Sequence, residues 1–304
     1  KELTVGKNTL PIRVIAEDGS EKIYNVNVTR KAGATSLKNE IMKNKIITAE
    51  PTLTTTSAAS GDESGLYVST ATNTGKPTYY FRGNVENNYV KFAGFTWRIV
   101  RINEDGTIRI IMQDGINNNM EYKFNSNRNN YIYMYYTNSQ AKTTLDTWYQ
   151  KNIGSKSDLG QNVASGNYYC EQAKVKSGSN FTSGNATMTT YTSYTPDFKC
   201  VTDGNGKDVI NANVGLLTYD EVVYAGGYPH QSNSNYYLYV GKYFWIISPA
   251  GFTSFSRVWS VYASGYPDED DVNYTHRLRA VLNLTAATQI SDGDGTKENP
   301  FVVE

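Results

Sequence analysis

Apolar residues along this chain fall mostly in short alternating runs, the period-two pattern of strands with one buried face. Leu10, Ile12, Val14 and Ala16 alternate over residues 9–16, and Glu17-Asp18-Gly19-Ser20 then supplies a turn. Ile23, residues 25–28 and Arg30 complete a second strand. Further strands are predicted over 79–82, 88–92, 95–103 and 107–113, with Ala93-Gly94 and Glu104-Asp105-Gly106 as hairpin turns. Later ones are predicted over 214–217, 236–248, 258–263 and 278–284, with a last short one after Asn299-Pro300. Helical spacing is rarer. Ser36 reads as the N-cap of a helix over 37–47, and Leu145, Trp148 and Tyr149 share one face of a helix over 143–151. Thr218 caps another, with Asp220 and Glu221 in its first turn, where carboxylates favour the helix dipole. Residues 48–64 are rich in Thr, Ser and Ala and show no period, so an extended or loose stretch is expected there.

The pattern is α+β with much irregular backbone, in three parts: a hairpin over 1–32, a linker with a short helix over 33–64, and a main unit over 65–304. Two strands cannot stand alone as a domain. The N-terminal string LTVGKNTLPIRVIAEDGSEKIYNVNVTR resembles the last two strands of the cadherin-like β-sandwich repeat of bacterial surface proteins. The match lies in its VGxN lead-in, its AEDGS turn and Tyr24-x-Val26-x-Val28-x-Arg30. The earlier strands of that repeat are missing, which is expected of a piece of a longer polypeptide.

A second resemblance covers most of 65–304. It is carried by Tyr79-x-Phe81-Arg82-Gly83, residues 88–92, Phe95-x-Trp97-Arg98-Ile99-Val100 and Gly215-Leu216-Leu217-Thr218-x-Asp220-Glu221. Phe244-Trp245-Ile246-x-Ser248-Pro249 and Arg279-Ala280-Val281-Leu282-Asn283-Leu284 complete it. These pieces resemble uncharacterised extracellular modules of gut-associated Gram-positive bacteria. Their endings are similar to the second half of C-type-lectin-like folds, including the sulfatase-modifying relatives. The resemblance implies a C-type-lectin-like module on the bacterial cell surface. The usual Arg-Pro-Val of such endings is Arg-Ala-Val here.

Composition narrows the partners. Across 304 residues, 29 basic and 29 acidic side chains give a formal net charge of zero, and neither sign forms a long block. Nucleic acid and anionic membranes both call for a concentrated basic face, so neither is expected. No apolar run approaches the roughly 18 residues that span a bilayer, so no membrane insertion is expected in this fragment. Asn, Thr, Ser, Gly and 25 Tyr dominate instead, a surface that binds through hydrogen bonds and ring faces. The two cysteines, Cys170 and Cys200, bracket a Ser/Gly/Thr-rich loop. A disulfide between them would imply an oxidising, extracytoplasmic setting; the alternative is two unrelated buried thiols.

Candidate chemistry is sparse. Only His230 and His276 are present, no Gly-x-Ser-x-Gly elbow occurs, and each histidine reads as a surface or hydrogen-bonded structural one. Formylglycine-generating chemistry would need thiols that a disulfide consumes. Asp268-Glu269-Asp270-Asp271 offers acids for a glycosidase pair, but neighbours in one loop usually make a solvated turn. Asp268, Asp270 and Asp271 are a calcium candidate, and Asp292-x-Asp294 is a second. The Glu-Pro-Asn and Trp-Asn-Asp strings of calcium-dependent sugar binding do not occur. Tyrosines cluster at 131–136 and 236–243, where packing against a sheet competes with ligand contact. In the segment 254–274, read as a loop between the last strands, Tyr262, Tyr266 and Tyr274 flank the acids. Tyr262, Tyr266, Asp268, Asp270 and Tyr274 are therefore the expected ligand-binding set, while Trp97, Trp245 and Trp259 are expected in the core. The expected function is non-catalytic recognition or adhesion, with carbohydrate or host protein as partner. A stalk or pilus-type subunit that self-associates is the alternative. No LPxTG-like sorting signal is seen, so the mode of anchoring is left open.

Overall fold

A computed structural model describes residues 6–30, 33, 35–53, 63–165, 168–171, 196–200 and 209–304. Along the chain, β1 (Gly6–Ile15) and β2 (Glu21–Arg30) form an isolated hairpin. There follow β3 (Thr35–Ser36), α1 (Leu37–Ile41), β4 (Ile46–Ile47), β5 (Gly65–Ser69), β6 (Thr78–Arg82), β7 (Tyr89–Phe92), β8 (Phe95–Ile102) and β9 (Ile108–Met112). Next come β10 (Glu121–Lys123), α2 (Gln140–Tyr149), β11 (Tyr168–Cys170), β12 (Val209–Asn211) and α3 (Tyr219–Ala225). The chain closes with β13 (Phe244–Phe252), β14 (Ser256–Val261), β15 (Pro267–Asp271), β16 (Thr275–Arg277), β17 (Val281–Leu284), β18 (Gln289–Asp292) and β19 (Phe301–Val303). The result is α+β, with strands outweighing helices.

One large sheet runs β3-β18-β19-β7-β8-β6-β5-β4, with β9 and β17 added beside β8, and a second runs β10-β16-β13-β14-β15. The β7–β8 hairpin turns where expected. Ala93 and Gly94 have φ of 54° and 82°, the left-handed pair that a two-residue hairpin turn requires. Strand β8 serves three partners: its first half pairs with β7, its second with β6, and its other edge with β9. That central place explains why Trp97 and Ile99 are sealed from solvent. Trp245 and Trp259 are buried too, as expected.

Several sequence expectations are corrected. The helix foreseen over 37–47 ends at Ile41, and Ser36 makes no side-chain cap. Ile46 and Ile47 instead pair in parallel with Leu66 and Tyr67. Residues 35–47 are therefore no linker: Leu37 and Ile41 are buried in the main core, and β3 and β4 flank the large sheet. Of the loose stretch foreseen over 48–64, residues 54–62 lie outside the described residues. Residues 214–217 make one bridge, Gly215 to Val281, rather than a strand. Within 236–248, only Phe244 onward is strand. The β18 strand has no counterpart in the sequence reading.

The remaining helices follow local rules. Ser139 caps α2 by accepting from the Lys142 backbone amide. Thr218 and Glu221 form a reciprocal capping box on α3, each accepting the other's backbone N–H. In the N-terminal hairpin, strict alternation places Leu10, Ile12, Val14, Tyr24, Val26 and Val28 on one face. Ile12, Val14, Tyr24 and Val26 are exposed there.

Candidate functional site

The acids expected in a loop stand on a strand. The 254–274 segment is a hairpin in which β14 pairs with β15 from Arg257 opposite Asp271 to Val261 opposite Pro267. Its turn is closed by the Tyr262 amide donating to the Tyr266 carbonyl at 2.9 Å. Gly265 takes φ of 88° there, and a Cβ at this position would meet the Asn233 carbonyl oxygen at 1.8 Å. Asn233 in turn takes the Ser264 carbonyl through its own amide, fastening the loop that carries His230 to the hairpin tip.

Period two then sorts the side chains. Tyr262, Tyr266, Asp268 and Asp270 fall on one face of the strand pair, together with Ser260; Glu269 and Asp271 fall on the other. The calcium triad is thereby corrected, because Asp271 points away from Asp268 and Asp270. Asp271 is held instead by Arg128 and Arg257. Among the described residues no three His, Cys, Asp or Glu side chains converge as a metal group. The second candidate, Asp294, caps its own turn by accepting from the Thr296 amide and hydroxyl, which lowers its pKa.

On the Asp268–Asp270 side, rings follow one another in a row, some stacked and some tilted. Tyr243 lies 4.8 Å from Tyr262, Tyr262 lies 5.1 Å from Tyr266, and His230 stands 6.3 Å beyond Tyr266. At the other end Tyr243 stacks on His276 at 5.1 Å, and His276 lies 4.2 Å from the buried Trp245. Arg277 next to His276 pairs with Phe244 next to Tyr243, so the parallel β13–β16 contact brings these two rings together. The row thus begins in the core and climbs to the surface, where Tyr243 is 39% exposed and the His230 side chain 73%.

Beneath the rings lies a hydrogen-bonded base. Asp270 accepts from the Ser260 hydroxyl at 2.9 Å and the Tyr262 phenol at 3.1 Å, and it meets His276 Nε2 at 2.8 Å. The other ring nitrogen of His276 faces the Thr275 carbonyl at 2.6 Å. Burial first, then the charges of Asp270 and Asp268, push the Tyr262 phenol above its ordinary value, so it stays a hydrogen-bond donor. Ser260, Asp270 and His276 are the residue types of a hydrolase triad in a different order. The hydroxyl donates to the carboxylate, and no nucleophile–imidazole contact is made. These bonds hold the Tyr262 and His276 side chains against Asp270. Tyr262→Phe should cost about 1 kcal/mol by urea unfolding, since the partly exposed phenol shared between Asp270 and the Glu269 carbonyl is lost while the ring remains.

Of the expected ligand set, Tyr262, Tyr266, Asp268 and Asp270 come together. Tyr274 is 52% exposed in the turn before β16 and makes no ring contact with them. Three residues outside the expected set adjoin them: Tyr243, His230 and His276. In sequence Tyr243 belongs to the 236–243 cluster, whose Tyr236 and Tyr237 are buried. The available signal was that both histidines of the chain sit in Tyr-rich segments. In the 131–136 cluster, Tyr135 and Tyr136 are core.

Cys170 and Cys200 form a disulfide, with Cα atoms 5.6 Å apart. Among the described residues no helix is long and apolar enough to cross a membrane. No protein-family model, curated protein or solved structure significantly matches the chain.

Proposed function

We propose that this chain is a non-catalytic recognition module of a bacterial surface protein, binding carbohydrate along the ridge of Tyr243, Tyr262 and Tyr266. The observation that carries this reading is the ring row itself: rigid, rooted in the core at Trp245, and open to solvent at its far end. Aromatic rings held this way meet the apolar C–H face of a sugar at little entropic cost. Asp268, His230 and the Tyr hydroxyls stand within the same patch to take sugar hydroxyls. The extracellular setting is supported by the disulfide. The C-type-lectin-like fold belongs to the same proposal; its Trp245–Pro249 and Arg279–Leu284 motifs occupy β13 and the run into β17.

The test is a glycan and host-matrix-protein array probed with the whole chain, with and without calcium, with oligomeric state measured on the same samples. Binding to a glycan should fall about tenfold or more in Tyr243→Ala and Tyr262→Ala, because stacked rings dominate such contacts. A folded, monomeric sample that binds nothing would overturn the reading. The second reading, a stalk subunit, is favoured by the exposed apolar face of the β1–β2 hairpin. It would be supported by self-association lost on changing Ile12 and Val26 to Ser.

A further inference from the structure

A cleft of about 410 Å³ lies apart from the ring row and shares no residue with it. That volume is within the range of small-molecule sites. Its walls are the 72–76 loop, β8 and β9 through Arg101 and Arg109, the Phe198–Cys200 segment, the start of α3, and Asn283 of β17. At its floor two guanidinium groups share one carboxylate. Arg101 Nε lies 3.0 Å and Arg109 Nε 2.6 Å from Glu221 Oε1. The floor therefore carries one positive charge in excess.

Five acidic and four basic side chains line the cleft, so its preference depends on which of them are already engaged. Each carboxylate accepts hydrogen bonds from the protein. Glu104 takes the Thr74 amide and hydroxyl, and Asp105 takes those of Thr107. Asp197 takes the Lys199 amide, and Asp220 takes the Asp197 amide. Glu221 accepts from Arg101 Nε and the Thr218 amide and is ion-paired with Arg109.

The donors are less fully used, although one buried acceptor of the lining, Asn103 Oδ1, has no partner among the described residues either. Arg101 spends Nε on Glu221 and reaches Thr78 with Nη1 at 3.4 Å, while Nη2 has no partner among the described residues. Phe198 lies under this guanidinium at 4.9 Å and fixes its plane. Asn283 is only 2% exposed, and its Oδ1 accepts from Asn103 and Arg109. Its Nδ2 has no partner among the described residues. At the mouth, the ammonium groups of Lys76 and Lys199 have none either. These donors face the cleft with no protein acceptor, so a ligand that supplies oxygens, above all charged ones, can meet them.

We infer that this cleft is a second binding site, selective for a small organic carboxylate, with Arg101 and Asn283 as the inner donors and Lys76 and Lys199 attracting the charge at the mouth. The inference does not rest on the ring row binding carbohydrate. Titration calorimetry on the whole chain tests it, with D-galacturonate, N-acetylneuraminate and L-glutamate as probes and D-galactose as the neutral match. At least one carboxylate should bind in the millimolar range or tighter, with galactose markedly weaker and added salt reducing the affinity. Lys76→Glu with Lys199→Glu, both at exposed positions, should weaken binding about tenfold or more. Arg101→Met should abolish it if that variant folds. Tyr243→Ala should leave it unchanged, which separates this site from the ring row. No binding of any carboxylate, equal binding of galactose in the Tyr243→Ala variant, where the ring row is disabled, an unaffected lysine double variant, or loss of carboxylate binding in Tyr243→Ala would each overturn the proposal.

Discussion

Glu221→Gln should destabilise the protein by about 3–5 kcal/mol, the cost of leaving buried charge without its partner. The carboxylate is buried and stands against Arg101, Arg109 and the Thr218 amide, so both of its oxygens face donors. Glutamine keeps the volume but turns one oxygen into an NH2 that must face another N–H. Two arginines are then left in the protein interior with half an acceptor. Urea unfolding at neutral pH would read the loss as a lower midpoint with an unchanged slope. Thr218→Ala is the control: it removes only the cap and should cost about 1 kcal/mol.

The same site predicts an acid limb. Burial pushes the Glu221 carboxyl upward, but Arg109, Arg101 and the Thr218 amide outweigh it and hold the pKa below its ordinary 4.5. A carboxyl lowered on folding stabilises the protein above its unfolded value, and that share is lost as pH falls through the folded value. Wild-type stability should therefore decline as pH drops below 4.5, and Glu221→Gln should lose that part of the slope. An equal acid slope in the variant would count against this assignment.

The second large effect should come from the disulfide. Changing Cys170 and Cys200 together to Ser, or adding reductant, should cost about 3–4 kcal/mol for a closed loop of this length. The sequence separation is 30, and the far cysteine holds more than itself. Phe198, two residues before Cys200, stacks on Tyr224 at 4.1 Å and lies 5.4 Å from Tyr80. The Phe198 amide also donates to the Ala71 carbonyl. Thermal unfolding with and without dithiothreitol measures the effect, and an unchanged Tm would show that the loop gains nothing from closure.

What could be read in advance was what neighbouring residues decide. Ala93-Gly94 and Asp105-Gly106 state their turns outright, and Thr218-x-x-Glu221 states its cap. Ile46 and Ile47 state nothing of the kind. Their strand exists only because Leu66 and Tyr67, twenty residues on, offer a parallel edge. The acids at 268–271 misled for a similar reason. Asp is a poor strand former, but β15 is the edge of its sheet, where charge is tolerated and where Arg257 and Arg128 reach across to it. Alternation on that strand then chose Asp268 and Asp270 for the ring side. His276 joined through the pairing of β16 with β13, a contact between segments some thirty residues apart that no local pattern announces.

The placing of β3 and β19 has a mechanical consequence. Both lie beside or next to β18 at one edge of the large sheet, since Ser36 pairs with Gln289, and Ile290 with Val303. Tension pulling on the chain to either side of residues 35–303 would enter through β3 and leave through β19, crossing only that edge. The ring row, built on the other sheet, would lie off the line of force and keep its shape while the module is under load.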